Sequence, residues 1–282
     1  MEVRLASVAA PGRSANEDHA FAFGELVGVL DGVTQPQGVD SGCRHGPAWY
    51  VRRLAARLGE VFAAMPSASL PQLLSDAIDA VRGDHEGRCD LGHPSTPGST
   101  VCLLRSTGDR AEYLVLCDST LILDHGGQVA VIADERFGRT IARIQDREPI
   151  PGAATATGDR AGRVRGFTIE KHQYTNQPGG YWIAAANPQA AFEAIAGEAP
   201  LHGSKSIQRA ALLTDGASCA VDQFHLFDWS TMLDLVTDQG PAELIRRVRS
   251  AECSNPNGYS RLRYKRHDDA TVALCLFSEE QP

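Results

Sequence analysis

Two stretches of this chain share one design: an apolar run that ends in a carboxylate and then a glycine. They are Leu26-Val27-Gly28-Val29-Leu30-Asp31-Gly32 and Ala210-Ala211-Leu212-Leu213-Thr214-Asp215-Gly216. Asp118 follows the apolar run Ala111 to Cys117, and Asp268 stands three residues before Thr271, where the last apolar run opens. Each of the four carboxylates is thus carried to the end of a predicted strand. A buried, uncompensated carboxylate costs several kcal/mol, so a cluster of them calls for cations. Donor sets made only of oxygen favour hard ions such as Mg²⁺ or Mn²⁺ over zinc. Asp-Gly is also a common turn dipeptide, and after alternating apolar residues it signals a hairpin. A hairpin needs a return strand. Val33-Thr34-Gln35-Pro36-Gln37-Gly38 offers none and contains a proline, and Ala217-Ser218-Cys219 offers none either.

The elements that must hold these residues follow from hydrophobic period and breakers. Val3 to Ala10 and Ala20 to Phe23 read as strands, the first closed by Pro11-Gly12 and the second parted by Gly24 from the strand that ends at Asp31. Apolar positions recur at helical spacing from Ser41 to about Ala64 and from Leu70 to about Arg82. The period then becomes that of a meander, with short strands over 99–104, 111–117, 121–123 and 129–132. A helix is expected from Glu135 to about Ile144, followed by a stretch from Gln145 to Gly180 that has no period and reads as a long mobile loop. Beyond it the sequence predicts a strand at 181–186, a short helix at 189–196 and the strand that feeds Asp215. Helical spacing returns around Met232 and Leu244, a polar basic loop runs from Asn255 to His267, and Thr271 to Phe277 closes as a strand. The expected class is α+β: two mainly antiparallel sheets stacked as a sandwich, with helices on both sides. Neither a repeat nor a linker divides residues 1–282, so one domain is expected.

Composition removes several functions. The chain has 282 residues, 43% hydrophobic and 22% charged, with a net charge of -8, which speaks against a basic nucleic-acid face or a polybasic membrane anchor. No apolar run approaches the roughly 18 residues of a membrane span, and no charged-then-apolar leader opens the sequence, so a cytoplasmic protein is expected. The seven cysteines are odd in number and lack a Cys-x-x-Cys pair, which predicts neither a disulfide framework nor a zinc site. Cys102, Cys117 and Cys275 lie in apolar runs as small hydrophobes, and the nine histidines show no ligand spacing.

Six short motifs in order, Asn16-Glu17-Asp18, Val29-Leu30-Asp31-Gly32, Gly98-Ser99-Thr100, Cys117-Asp118-Ser119, Leu213-Thr214-Asp215-Gly216 and His267-Asp268-Asp269-Ala270-Thr271, resemble the signatures of the metal-dependent type 2C serine/threonine protein phosphatases. The resemblance implies a helix-flanked β-sandwich with a two-metal Mg²⁺/Mn²⁺ centre at one end. It implies that Asp31 bridges both ions, that Gly32 offers a backbone carbonyl, and that Asp215 and Asp268 are direct ligands of the first ion. Glu17 would serve the second ion through water, Asp118 a third and weaker one, and Arg13 would grip the phosphate. Val33-Thr34-Gln35 departs from the His-Ala-Gly or Met-Gly-Gly of many members, and residues 145–180 depart from the usual flap. The implied activity is hydrolysis of phosphoserine and phosphothreonine in proteins. A small-molecule phosphatase on the same scaffold, or a catalytically weak pseudophosphatase that only binds, are the alternatives, and phosphorylated proteins or metabolites the implied partners.

Overall fold

The computed structural model describes residues 1–35, 39–147, 160–254 and 266–277, and for residues 160–165 the backbone alone is described. In chain order the elements are β1 (Glu2–Val8), β2 (Asp18–Phe23), β3 (Leu26–Gly32), α1 (Pro47–Ala64), α2 (Leu70–Asp84), β4 (Ser99–Ser106), β5 (Arg110–Leu116), β6 (Thr120–Asp124), β7 (Val129–Ala133), α3 (Arg136–Arg147) and α4 (Arg160–His172). There follow a 3₁₀ turn (Pro188–Glu193), β8 (Ile195–Pro200), β9 (Arg209–Leu213), α5 (Asp215–Asp222), α6 (Trp229–Gln239), α7 (Pro241–Ser254) and β10 (Ala270–Leu276).

The strands form two five-stranded antiparallel sheets, ordered β1-β10-β9-β6-β7 and β2-β3-β4-β5-β8. Alternation along the strands sorts their side chains into three apolar layers. Leu26, Leu30, Leu103 and Leu116 face outward onto α1 and α2, where Leu54, Leu58, Leu73 and Leu74 meet them. Val27, Val29, Cys102 and Val115 face inward, packed on Leu121, Leu212, Ala273 and Cys275 of the other sheet. Ala211, Leu213, Val272 and Leu274 face the opposite flank, under Met232, Leu233, Leu244 and Val248 of α6 and α7. Strands covered on both faces read as continuous apolar runs, which is how β3, β4 and β10 appear in the sequence. The expected α+β sandwich between helical layers is therefore the observed fold.

Helix starts follow local chemistry. Ser69 caps α2 by accepting the Gln72 N–H, Asp228 caps α6 by accepting the Thr231 N–H at 2.7 Å, and Pro47 opens α1 where no N–H is needed. Among the described residues no helix is long and apolar enough to cross a membrane.

Three expectations are corrected, and one helix is added. The 145–180 stretch is not one long loop, since α3 runs to Arg147 and α4 occupies Arg160–His172; residues 148–159 lie outside the described part. Gly162 and Gly166 lower the helix propensity of α4, which hid it. Residues 181–186 form no strand but two isolated bridges, Ala184 with Ser99 and Tyr181 with Thr175. The segment after them is a 3₁₀ turn and then β8, an edge strand whose Gly197 and Pro200 disguised it. Asp215 heads a helix, α5, that is too short and too rich in small residues to show a period. The expected basic loop at 255–267 falls almost wholly outside the described residues.

Candidate metal centre

Antiparallel pairing gathers the ends that matter. Asp31 continues the inward file of Val27 and Val29, so its carboxylate points between the sheets at one end of the sandwich. Register places Asp18 directly opposite Asp31 on one side and Thr100 on the other. The end of β9 and the start of β10 lie at the same end, with Leu213 paired to Val272, and the β5–β6 turn brings Asp118 there through Cys117, whose φ of 68° turns the chain sharply.

The glycines after the aspartates serve close approach and not turns. A methyl group on Gly32 would sit 2.6 Å from the Glu17 carbonyl oxygen and 2.8 Å from Pro47 Cβ, and one on Gly216 would run into the Asp269 carbonyl. Only glycine lets β3 press on the segment before β2, and the first turn of α5 on the start of β10. Asp-Gly here is a packing signature that sets carboxylates side by side.

The result is a strongly repulsive cluster. Burial pushes the Asp31 carboxyl well above the ordinary range, and the charges of Asp18, Asp215, Asp268 and Asp118 push it further. Burial raises Asp18 likewise, against hydrogen bonds from the Thr214 and Thr271 hydroxyls, with Asp215 and Asp269 adding to the rise. Asp118 is raised mainly by burial, with the ammonium of Lys171 on α4 drawing it down and Asp268 drawing it up. Thr214 Oγ1 donates to Asp18 Oδ2 at 2.8 Å, whereas Asp18 Oδ1 is buried with no hydrogen-bond partner among the described residues. An acceptor-only oxygen facing other carboxylates fits a site built for cations.

A raised carboxyl stabilises the fold only while it is protonated; that stabilisation is complete below the unfolded pKa of about 4 and is lost as pH rises through the higher folded value. With EDTA present, the melting temperature of the wild type measured against an Asp31→Asn variant is expected to fall steadily as pH rises above about 4. The histidine contributions are common to both proteins and cancel in that comparison. A difference that is flat with pH would show that Asp31 is not under this repulsion.

The predicted site residues fall into two groups. Asp215, Asp268 and Asp118 all act electrostatically on Asp31, and Asp268 also on Asp118, with Gly32 next to Asp31. Glu17 and Arg13 sit at the same end of the sandwich but bond to each other, Arg13 Nη1 to Glu17 Oε2 at 2.9 Å, and Thr34 Oγ1 donates to the same Glu17 oxygen at 2.6 Å. The neighbour of Asp268 does something else. Asp269 accepts the backbone N–H groups of Ala10 at 2.7 Å and Glu17 at 2.6 Å, latching the β1–β2 connection to the start of β10.

Asp18 and Lys171 were given no role from sequence. Asp18 was within reach of the argument: the two-residue Gly24-Glu25 turn pairs Phe23 with Leu26, and counting outward puts Asp18 opposite Asp31. Lys171 offered no signal, because its helix shows no period. The structure also corrects the reading of the cysteines and histidines. Cys43, His45, His85 and Cys89 converge, each offering a ligand atom within 4.8 Å of the others, in a place distinct from the carboxylates.

Solved structures of the same shape include those of bacterial phosphatases. The serine/threonine phosphatase PstP/Ppp of Mycobacterium tuberculosis matches over 97% of this chain and 97% of its own, with a TM-score of 0.56 and 18% identity. The catalytic domain of PstP in complex with two manganese ions matches over 97% and 96%, with a TM-score of 0.56 and 16% identity. Stp1 of Staphylococcus aureus matches over 99% and 95%, with a TM-score of 0.58 and 12% identity. No protein-family model and no curated protein sequence matches the chain. The chain therefore has the fold of the bacterial PPM-type serine/threonine phosphatases.

Proposed function

We propose that this chain is a divergent, cytoplasmic member of the metal-dependent type 2C phosphatase family, acting as one domain to hydrolyse phosphoserine and phosphothreonine in proteins. The observation that carries the reading is the half-buried cluster of Asp31, Asp118, Asp215 and Asp268 around the buried Asp18 with its orphaned oxygen, at the end of a sandwich whose relatives in shape include PstP with its two manganese ions. Asp31, the Gly32 carbonyl, Asp215 and Asp268 would hold Mn²⁺ or Mg²⁺, with Glu17 bound through water and Asp118 serving a third, weaker ion. When bound, such ions supply a water acidified toward neutrality as the nucleophile.

The chain's own groups do the rest. Arg13, held by Glu17, presents a guanidinium whose remaining donors can clasp two phosphoryl oxygens and orient phosphorus for attack. Lys171 adds a second cation on the α4 side of Asp118. A small pocket of about 20 Å³, room for little more than a water, lies beside Lys171 and is lined by Val33, Thr34, Gln35, Ser95 and His172 among others. Val33 replaces an imidazole that could protonate the departing oxygen, which favours substrates with good leaving groups.

Manganese-dependent hydrolysis of p-nitrophenyl phosphate tests the enzyme reading, and its absence at saturating manganese would leave a pseudophosphatase. A panel of phosphopeptide, sugar phosphate and nucleotide then separates a protein phosphatase from a small-molecule one. Arg13→Ala is expected to lower kcat/KM by about 2 to 4 kcal/mol, roughly 30- to 1000-fold, with the manganese half-saturation nearly unchanged. A collapse in manganese affinity would make Arg13 a support for Glu17 and not a phosphate ligand.

A further inference from the structure

Cys43 and His45 lie in the connection from β3 to α1; His85 caps the end of α2 and Cys89 follows four residues later. The Asp90 N–H donates to the Gly42 carbonyl at 2.7 Å, which brings the two segments together. Glu86 and Gly87, with φ of 54° and 65°, turn the chain back so that Cys89 faces His85. The two imidazole Nδ1 atoms are 3.3 Å apart; Cys43 Sγ lies 3.5 Å from each, and Cys89 Sγ 3.7 Å from His45 Nδ1.

Those lengths are the edges of a tetrahedron around one ion. With Zn–N near 2.05 Å and Zn–S near 2.3 Å, tetrahedral geometry requires N···N of about 3.4 Å and N···S of about 3.6 Å. The two sulfurs, 3.1 Å apart, stand inside the roughly 3.8 Å edge that zinc would set, yet beyond the length of a disulfide bond. The rings are also oriented in advance. His45 stacks on Trp49 at 3.9 Å and 11°, and His85 meets the same indole edge-on at 4.8 Å. The His45 backbone N–H donates to Cys43 Sγ at 3.3 Å, which fixes the direction of that side chain.

We propose that Cys43, His45, His85 and Cys89 bind a zinc(II) ion that ties the segment after Asp31-Gly32 to the end of α2. Binding releases the two thiol protons to solvent, and two thiolates with two neutral imidazoles leave the site without net charge. Four protein ligands close the coordination sphere, so the ion is structural and has no position for substrate. A site this tight holds one ion and not an iron–sulfur cluster, and sulfur with imidazole excludes Mg²⁺ and Mn²⁺, separating it chemically from the carboxylate centre. What the ion would hold in place is the entry to α1, whose Pro47 packs against Gly32 beside Asp31.

The test is zinc content by elemental mass spectrometry after exhaustive dialysis against metal-free buffer without chelator, which removes weakly held ions. One zinc per chain is expected in the wild type and in Asp31→Asn, whereas Cys43→Ser and Cys89→Ser are expected to lose zinc affinity by more than about 100-fold, since even outer partners of a zinc site are worth 10- to 100-fold. Cobalt(II) substitution is expected to give the visible absorption of a tetrahedral thiolate site in the wild type and none in Cys89→Ser. Should the serine variants fail to fold, alkylation of the wild type decides: two thiols protected until a strong chelator is added support the site. Zinc-free wild type, zinc lost on Asp31→Asn but kept in the serine variants, or a Cys43–Cys89 disulfide would each overturn it. None of these readouts depends on phosphatase activity.

Discussion

Asp31→Asn is expected to cut manganese-dependent turnover by at least about 1000-fold, which is about 4 kcal/mol of lost transition-state stabilisation, while leaving the chain folded. Asp31 is the carboxylate on which the charges of Asp18, Asp215, Asp268 and Asp118 all act, so it is the centre of the cluster. Asparagine keeps its size and can still accept a hydrogen bond, but it removes the anion that would join two cations. The same substitution relieves repulsion, so the metal-free variant should melt higher than the metal-free wild type at neutral pH. Turnover and melting temperature therefore move in opposite directions, which distinguishes loss of a ligand from loss of the fold. Full activity at saturating manganese would remove Asp31 from the bridging role.

The second large effect divides two neighbours. Asp268→Asn is expected to abolish activity or to demand far more manganese, with little change in stability. Asp269→Asn is expected to do the reverse. Both Asp269 oxygens accept buried backbone N–H groups, and an amide has only one oxygen to offer, so its NH₂ would oppose the Ala10 or the Glu17 N–H at a cost of about 1 to 3 kcal/mol. The latch makes the expected Asp269 phenotype one of stability. Denaturant unfolding and manganese titration of the two variants decide the matter, and reversed severities would shift the assignment by one residue.

The layered fold was readable because its strands are buried on both faces and its first two helices carry unbroken apolar stripes. The carboxylates were readable because each terminates such a strand. Element type failed where glycine or proline blurred the period, as in α4 and β8, or where small residues left no stripe, as in α5. The Cys43, His45, His85 and Cys89 group was missed for a different reason. Cys-x-His and His-x₃-Cys are short, unpaired patterns forty residues apart, and only the packing of α1 against α2 brings them together. Lys171 was out of reach because nothing in a helix without period tells which way a side chain points.

The dipeptide Asp268-Asp269 has a mechanical consequence. One member faces the aspartate cluster, and the other hooks the chain on both sides of Arg13 through Ala10 and Glu17. The reach from the arginine to the acidic end of the sandwich is therefore gauged by a bracket two residues long and not by the spacing of the sheets. Thermal breathing between the layers, which would stretch a ruler laid across the whole sandwich, leaves this short one almost unchanged.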